Sequence, residues 1–244
     1  MDQSIEALIT ARQRPVGRAI LTQNWDNLLF LHWKYDAAEI QRRLPPGLFV
    51  DTFNGQAFLS IIGFQMSAIR VFGLPAVPFL SNLNELNVRT YVRTADGKPG
   101  IYFFSLDCDH WLAVKIAQLA FGLNYKYAQL KFLLNSHELS CQRSSAANKA
   151  DYSWEPQGSP GTATPGTIEF FLLERYIFFT ERKKQLWAGQ VYHAPYVFTS
   201  ANLREWSEVP FKWNQLLPTH VAPDLVHACR GVAIEALPLT LVHA

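Results

Sequence analysis

Cysteine, charge and long apolar runs are all scarce in this sequence. Its three cysteines, Cys108, Cys141 and Cys229, form no C-x-x-C spacing. So sparse and odd a count argues against a disulfide scaffold and for a reducing compartment. Charged residues make up 17 % of the chain and the formal net charge is +2, which gives no electrostatic case for a nucleic-acid partner. The short basic clusters Arg12-Gln13-Arg14 and Arg182-Lys183-Lys184 lack interleaved aromatics and read as solvated turns or faces. No apolar run approaches the roughly 20 residues that span a bilayer. Residues 1–6 have neither the basic nor the apolar region of a signal peptide. The expectation is a cytoplasmic protein with no membrane partner.

Catalytic signatures are missing too. There is no G-x-S-x-G elbow, no glycine-rich phosphate loop and no H-E-x-x-H. The seven histidines are dispersed, and His32 and His193 sit in apolar strands where a hydrogen-bonded core role is expected. Asp107-Cys108-Asp109-His110 invites a metal reading, but Asp109 as a helix N-cap explains it more simply. No metal and no cofactor are expected.

What is present is apolar and β-rich. Hydrophobic residues make up 49 % and aromatics 14 %, enough for a substantial core. Residues 4–12 suit a helix, and residues 28–35 a strand. Asp36 with Glu39 forms a capping box, and Asn54-Gly55 marks a hairpin between residues 48–51 and 57–62. The second of these strands is apolar at almost every position, which implies burial on both faces or a strand crossing a closed barrel interior. Residues 72–82 read as a loop lying over the domain. Residues 86–93 alternate cleanly. Leu86, Val88, Thr90 and Val92 share one face, and Glu85, Asn87, Arg89, Tyr91 and Arg93 share the other. Residues 101–106 return as the hairpin partner. Residues 110–122 suit a largely buried helix, and residues 127–134, 139–143, 175–180, 185–196 and 221–242 carry further strands. A short helix fits residues 167–174. Residues 144–165, rich in Ser, Ala, Gly and Pro, read as a long surface loop. A single domain over residues 1–244 follows, with residues 1–18 as an N-terminal extension.

Chemistry is expected between Glu85 and Lys126. If the sheet curls, the Glu85–Asn87–Arg89–Tyr91 face points into a cavity, where a carboxylate and a guanidinium acquire perturbed properties. Lys126 lies between Tyr125 and Tyr127 just after the helix. A lysine lowered in pKa by an apolar pocket forms imines with carbonyl compounds.

Several phrases resemble the YqjF-like uncharacterised family: Asn24-Trp25-Asp26-Asn27-Leu28-Leu29-Phe30-Leu31-His32-Trp33, Asn84-Glu85-Leu86-Asn87-Val88-Arg89-Thr90-Tyr91-Val92 and Gly100-Ile101-Tyr102-Phe103-Phe104-Ser105-Leu106-Asp107. Arg175-Tyr176 and His193-Ala194-Pro195-Tyr196 fit it as well. That family is similar, more distantly, to acetoacetate decarboxylase. The resemblance implies an α+β, mainly β fold: an antiparallel barrel or cone with peripheral helices and an internal cavity. Acetoacetate decarboxylases carry Asn-Glu at the equivalent strand start, matched by Asn84-Glu85. They also carry Gly-aromatic-Pro-Lys-Lys after the equivalent helix, where the first lysine forms the imine and the second lowers its pKa. Here the run is Gly122-Leu123-Asn124-Tyr125-Lys126, so Tyr125 takes the imine-lysine position and Lys126 the second. Tyrosine cannot form an imine.

Three readings follow. The first is a non-decarboxylating binder of a small acidic or carbonyl-bearing molecule. It would use Glu85, Tyr125 and Lys126 as catalytic candidates and Arg89, Asn87 and Tyr91 as ligand contacts, with Arg89 anchoring a carboxylate. The second is an imine-forming lyase using Lys126. The third is a non-catalytic scaffold whose barrel is filled by its own aromatics. Homo-oligomerisation is left open.

Overall fold

Strand alternation and a few turn residues account for most of the architecture. The computed structural model describes residues 3–75 and 82–242. Helix α1 (Gln3–Ala11), strand β1 (Leu21–Tyr35) and helix α2 (Ala37–Gln41) open the chain. Strands β2 (Leu48–Val50), β3 (Ala57–Val71), β4 (Asn82–Thr94) and β5 (Pro99–Cys108) precede helix α3 (Trp111–Phe121). Strands β6 (Tyr125–Leu133), β7 (Glu138–Arg143) and β8 (Ala150–Gly161) lead to helix α4 (Ile168–Leu173). Strands β9 (Ile177–Arg182), β10 (Gln185–Tyr192) and β11 (Phe198–Glu205), helix α5 (Val209–Trp213), and strands β12 (Leu225–Ala236) and β13 (Thr240–Leu241) complete it.

The thirteen strands form one sheet in the order β13-β10-β9-β5-β6-β7-β8-β11-β12-β1-β3-β4-β2, and extra β4–β5 and β10–β12 pairings fold it back on itself. Closure is partial, since β10 meets β12 at only two residue pairs. One edge of β5 is taken by β4. Its other edge is divided between two parallel partners. Ile101 and Tyr102 pair with Phe178 and Phe179 of β9, while Leu106, Asp107 and Cys108 pair with Tyr125, Lys126 and Tyr127 of β6. Gly100 permits the approach of β9, because a Cβ there would lie 2.7 Å from the Ile177 carbonyl oxygen.

Strands β1, β3 and β4 run through the middle of the molecule with an apolar cluster on each face. On one side Leu31, Trp33, Leu59, Ile61, Leu86 and Val88 pack against Leu139, Cys141, Tyr152 and Trp154. On the other, Leu28, Phe30, Ile62 and Phe64 pack with Cys108, Leu173 and Tyr196. The double burial expected for the second strand of the Asn-Gly turn is found.

Several local expectations are corrected. Asp36 caps α2 by accepting from the Glu39 amide at 2.9 Å, but the Glu39 carboxylate pairs with Arg42 instead of reaching back. Asn54 and Gly55 adopt φ of 49° and 80°, yet they close only a Phe53–Gln56 bridge, because β2 pairs with β4. His110, not Asp109, caps α3. Asp109 accepts from the Asn84 backbone and side-chain amides. Helix α3 is not buried: Val114 is, but Trp111 and Leu119 are 63 % and 79 % exposed. Residues 144–165 are not a surface loop. They contain β8, whose Tyr152, Ser153 and Trp154 are buried. Main-chain pairing with β7 and β11 holds it whatever its composition. Within residues 1–18, Leu8 of α1 docks on Ala163 and Phe170. The loop expected over residues 72–82 lies partly outside the described residues.

On the first face Arg143 grips Asp107 bidentately. Nε and Nη2 each donate at 2.7 Å, and Nη2 also donates to Ser105 Oγ at 2.9 Å. Burial pushes the Asp107 carboxyl up, and Arg143 opposes that. Replacing Arg143 by methionine strands a buried carboxylate. Urea unfolding at neutral pH is expected to register a loss of about 3–5 kcal/mol; a loss under about 1 kcal/mol would mean that the pair does not carry the packing there.

Candidate functional site

Strand pairing aligns the second face into lateral rows. His227, Phe30, Ile62, Asn87, Leu106 and Tyr125 lie across six adjacent strands. Beside that row lie Phe64, Glu85 and Cys108, and on its other side His32, Ser60, Arg89 and Phe103. A bulge in β5 between the partners of Val88 and Arg89 keeps the two strands in phase despite the extra residue, Phe104. The polar face read from the alternation of β4 is therefore an inward one. Glu85, Asn87, Arg89 and Tyr91 are 2 %, 3 %, 7 % and 0 % exposed, whereas Arg93 is exposed.

Glu85 accepts the Tyr125 hydroxyl at 2.7 Å and the Asn87 amide at 3.1 Å. Burial nevertheless dominates and raises its carboxyl to about 7, against the two hydrogen bonds that lower it. Burial also holds the Tyr125 phenol well above its ordinary value, and the neighbouring Glu85 adds to this. The pair is thus a carboxyl that exchanges its proton near neutrality and a phenol that keeps its own. The Cys108 thiol beside them is pushed up to about 12 by burial, so it is no thiolate nucleophile near neutral pH.

The Tyr91 hydroxyl lies 2.8 Å from Ser60 Oγ and 3.2 Å from His32 Nδ1, and it reaches the Leu172 carbonyl at 3.1 Å. Arg89 donates Nη2 to that same carbonyl, at the end of α4. Arg175 donates to the Phe171 carbonyl and to Asp51. His193 stacks on Tyr176 at 4.4 Å and meets Tyr196 at a tilt at 4.5 Å, and Tyr196 meets Phe30 edge-on. Burial lowers His32, His193 and His227, the last two to about 4. His32 Nε2, Asn87 Oδ1, Arg89 Nε, Arg175 Nη2, His193 Nε2 and His227 Nδ1 are buried without a hydrogen-bond partner among the described residues.

Glu85, Asn87, Arg89, Tyr91 and Tyr125 thus lie on one buried face of the sheet, and Lys126 does not join them. It pairs with Asp107, on the opposite face from Tyr125, and is exposed. Sequence reasoning missed what Arg175, Tyr176, His193 and Tyr196 contribute. Two of the quoted phrases contained them, but they precede or follow strands and carry no alternation signal. A pocket of about 400 Å³ lies at the Glu85 end, lined by polar residues including Asp26, Asn27, Gln65, Asn84 and Arg230. Its apolar wall, Met66 and Leu83, belongs to the same cluster as Cys108. Among the described residues no group of three or more His, Cys, Asp or Glu side chains is placed to hold a metal ion, and no helix is long and apolar enough to cross a membrane.

Solved structures share the fold. An acetoacetate decarboxylase-like enzyme from Sphingomonas wittichii RW1 superposes with a TM-score of 0.64 at 13 % identity, covering 93 % of this chain and 95 % of the other. The acetoacetate decarboxylase of Legionella pneumophila gives 0.62 at 14 % identity, covering 96 % and 94 %. The enduracididine biosynthesis enzyme MppR, complexed with pyruvate, gives 0.62 at 11 % identity, covering 94 % and 93 %. The fold is that of the acetoacetate decarboxylase-like proteins. Within it, the chain belongs to DUF2071, a family of uncharacterized conserved proteins whose pattern matches residues 22–233. It is 37 % identical to the uncharacterized protein YqjF of Bacillus subtilis (strain 168) over 190 residues, 77 % of this chain and 78 % of that one.

Because Glu85 binds its proton more tightly folded than unfolded, its contribution favours the native state below about pH 4.5 and is lost as pH rises through about 7. Glu85→Gln removes that dependence. The stability of the variant relative to the parent is expected to rise by about 3 kcal/mol across this window. Urea titrations at both ends measure it, and a constant difference would assign Glu85 an ordinary pKa.

Proposed function

We propose that this protein binds a small organic acid in the compartment behind β4, without imine-dependent decarboxylation. The partly closed sheet is taken as an acetoacetate decarboxylase-like cone with that compartment as its interior. Arg89 anchors the carboxylate, flanked by Asn87 and Tyr91. Glu85 and Tyr125 stand ready to exchange a proton with the bound molecule. One observation carries this reading. Arg89 is a buried guanidinium with no carboxylate partner among the described residues and with Nε unbonded. An uncompensated buried charge is costly, and an incoming carboxylate is its natural complement. That MppR has been crystallised with pyruvate is in keeping with an acid of this size. The three buried free thiols favour a reducing, cytoplasmic setting.

A second reading has its own support. Trp25–Phe64 and Phe30–Tyr196 ring contacts at 5.0 and 5.3 Å favour an interior filled by aromatics, with the site vestigial. Titration calorimetry with short monocarboxylates separates the two. Binding that is lost in Arg89→Met, while the fold is kept by circular dichroism, supports the acid reading. No binding to any acid supports the filled interior. Borohydride treatment with carbonyl compounds is expected to leave Lys126 unmodified, and a trapped adduct there would restore imine chemistry.

A further inference from the structure

The unpartnered atoms of the compartment differ in kind, and their kinds restrict what can fill it. His193 lies with Nδ1 at 2.7 Å from the Ala194 carbonyl oxygen. A carbonyl only accepts, so the ring proton is on Nδ1, and burial keeps the ring neutral near pH 7. His193 Nε2 is then a buried lone pair with no donor. Asn87 spends an amide hydrogen on Glu85, which leaves its Oδ1 as a second acceptor without a donor. Arg89 Nε is the reverse case, a donor without an acceptor.

Charge narrows the choice. Two guanidiniums, Arg89 and Arg175, lie 5.8 and 5.3 Å from the Tyr91 ring, and Asp51 compensates only the second. Glu174, which accepts from the Tyr176 hydroxyl and the Tyr196 amide, and Glu85 are both pushed towards their protonated forms by burial. With these two neutral, one positive charge remains. A keto acid answers it but presents acceptors alone, leaving both lone pairs unmet. A zwitterionic amino acid returns a positive charge for the one it neutralises. A dicarboxylate brings two negative charges to the one positive charge.

Resting on the small-acid reading, we propose that the compartment is selective for monoanionic hydroxycarboxylic acids. The carboxylate sits on Arg89, and a hydroxyl hydrogen is donated to Asn87 Oδ1 or His193 Nε2; an acid with two hydroxyls, such as glycerate, meets both. Binding needs no covalent step: the carboxylate oxygens accept from the arginine, and the O–H groups donate to the unmet acceptors.

Titration calorimetry on the full chain tests this with lactate, glycerate and 3-hydroxybutyrate against pyruvate, acetoacetate, propionate and alanine. The hydroxy acids are expected to bind at least about tenfold more tightly than their keto counterparts, because a buried acceptor left unmet costs that much or more. For glycerate, which engages both acceptors, Asn87→Leu and His193→Phe are each expected to shrink its advantage over pyruvate, and either folded variant suffices if the other does not fold. Keto acids binding as well as hydroxy acids, with affinity still lost in Arg89→Met, would overturn the selectivity and leave the small-acid reading standing. Alanine binding as tightly as lactate would overturn the charge assignment on which the selectivity rests. No binding by any of the acids would overturn both readings and favour the interior filled by aromatics.

Discussion

The molecule is organised around the desolvated polar face of β4. Four successive inward positions, Glu85, Asn87, Arg89 and Tyr91, are all nearly inaccessible, and burying such groups is tolerated only where partners meet them. Those partners fix the surrounding elements. Tyr125 at the start of β6 serves Glu85, the last turn of α4 offers its Leu172 carbonyl to Arg89 and Tyr91, and β1 and β3 bring His32 and Ser60 to the Tyr91 hydroxyl. On the opposite face of the same sheet, Asp107, Ser105 and Arg143 satisfy one another. One side of the sheet therefore carries a salt-bridged network, and the other a line of polar groups several of whose atoms have no partner among the described residues.

The position of Tyr125 sets this chain apart from the enzymes whose fold it shares. In the sequence correspondence with acetoacetate decarboxylases, Tyr125 stands at the imine-forming lysine. Strand geometry adds a second consequence: the neighbouring Lys126 cannot deputise, because one residue along a strand is the other face. What remains next to Glu85 is a neutral phenol, able to donate a hydrogen bond but unable to condense with a carbonyl.

Much of this was legible in the sequence. The alternation from Leu86 to Val92 separated the two faces of β4 correctly, and the Asp-Gly turn after it placed β5 as its partner. What alternation cannot state is which face is inside, and here both are. Helix α3 misled for the converse reason: its apolar residues suggested burial, but among the described elements only one flank of it finds cover. Strand β8 escaped notice because Ser, Gly and Pro lower β propensity, while its hydrogen bonds to β7 and β11 are made by backbone. The contributions of α4 and of residues 193–196 are long-range. Nothing in the spacing of His193 and Tyr196 announces that they will close over Phe30.

The divided edge of β5 has a kinetic side. Ile101 and Tyr102 wait for partners more than seventy positions downstream, whereas Leu106, Asp107 and Cys108 find theirs within twenty. Closing long loops is slow relative to closing short ones. During synthesis and refolding the β4–β5–β6 portion can assemble while half of the β5 edge still lacks a neighbour, offering unsatisfied amides and carbonyls beside large aromatic side chains. That interval is when another chain could add itself in place of β9, and the late docking of the β9–β10 hairpin ends it.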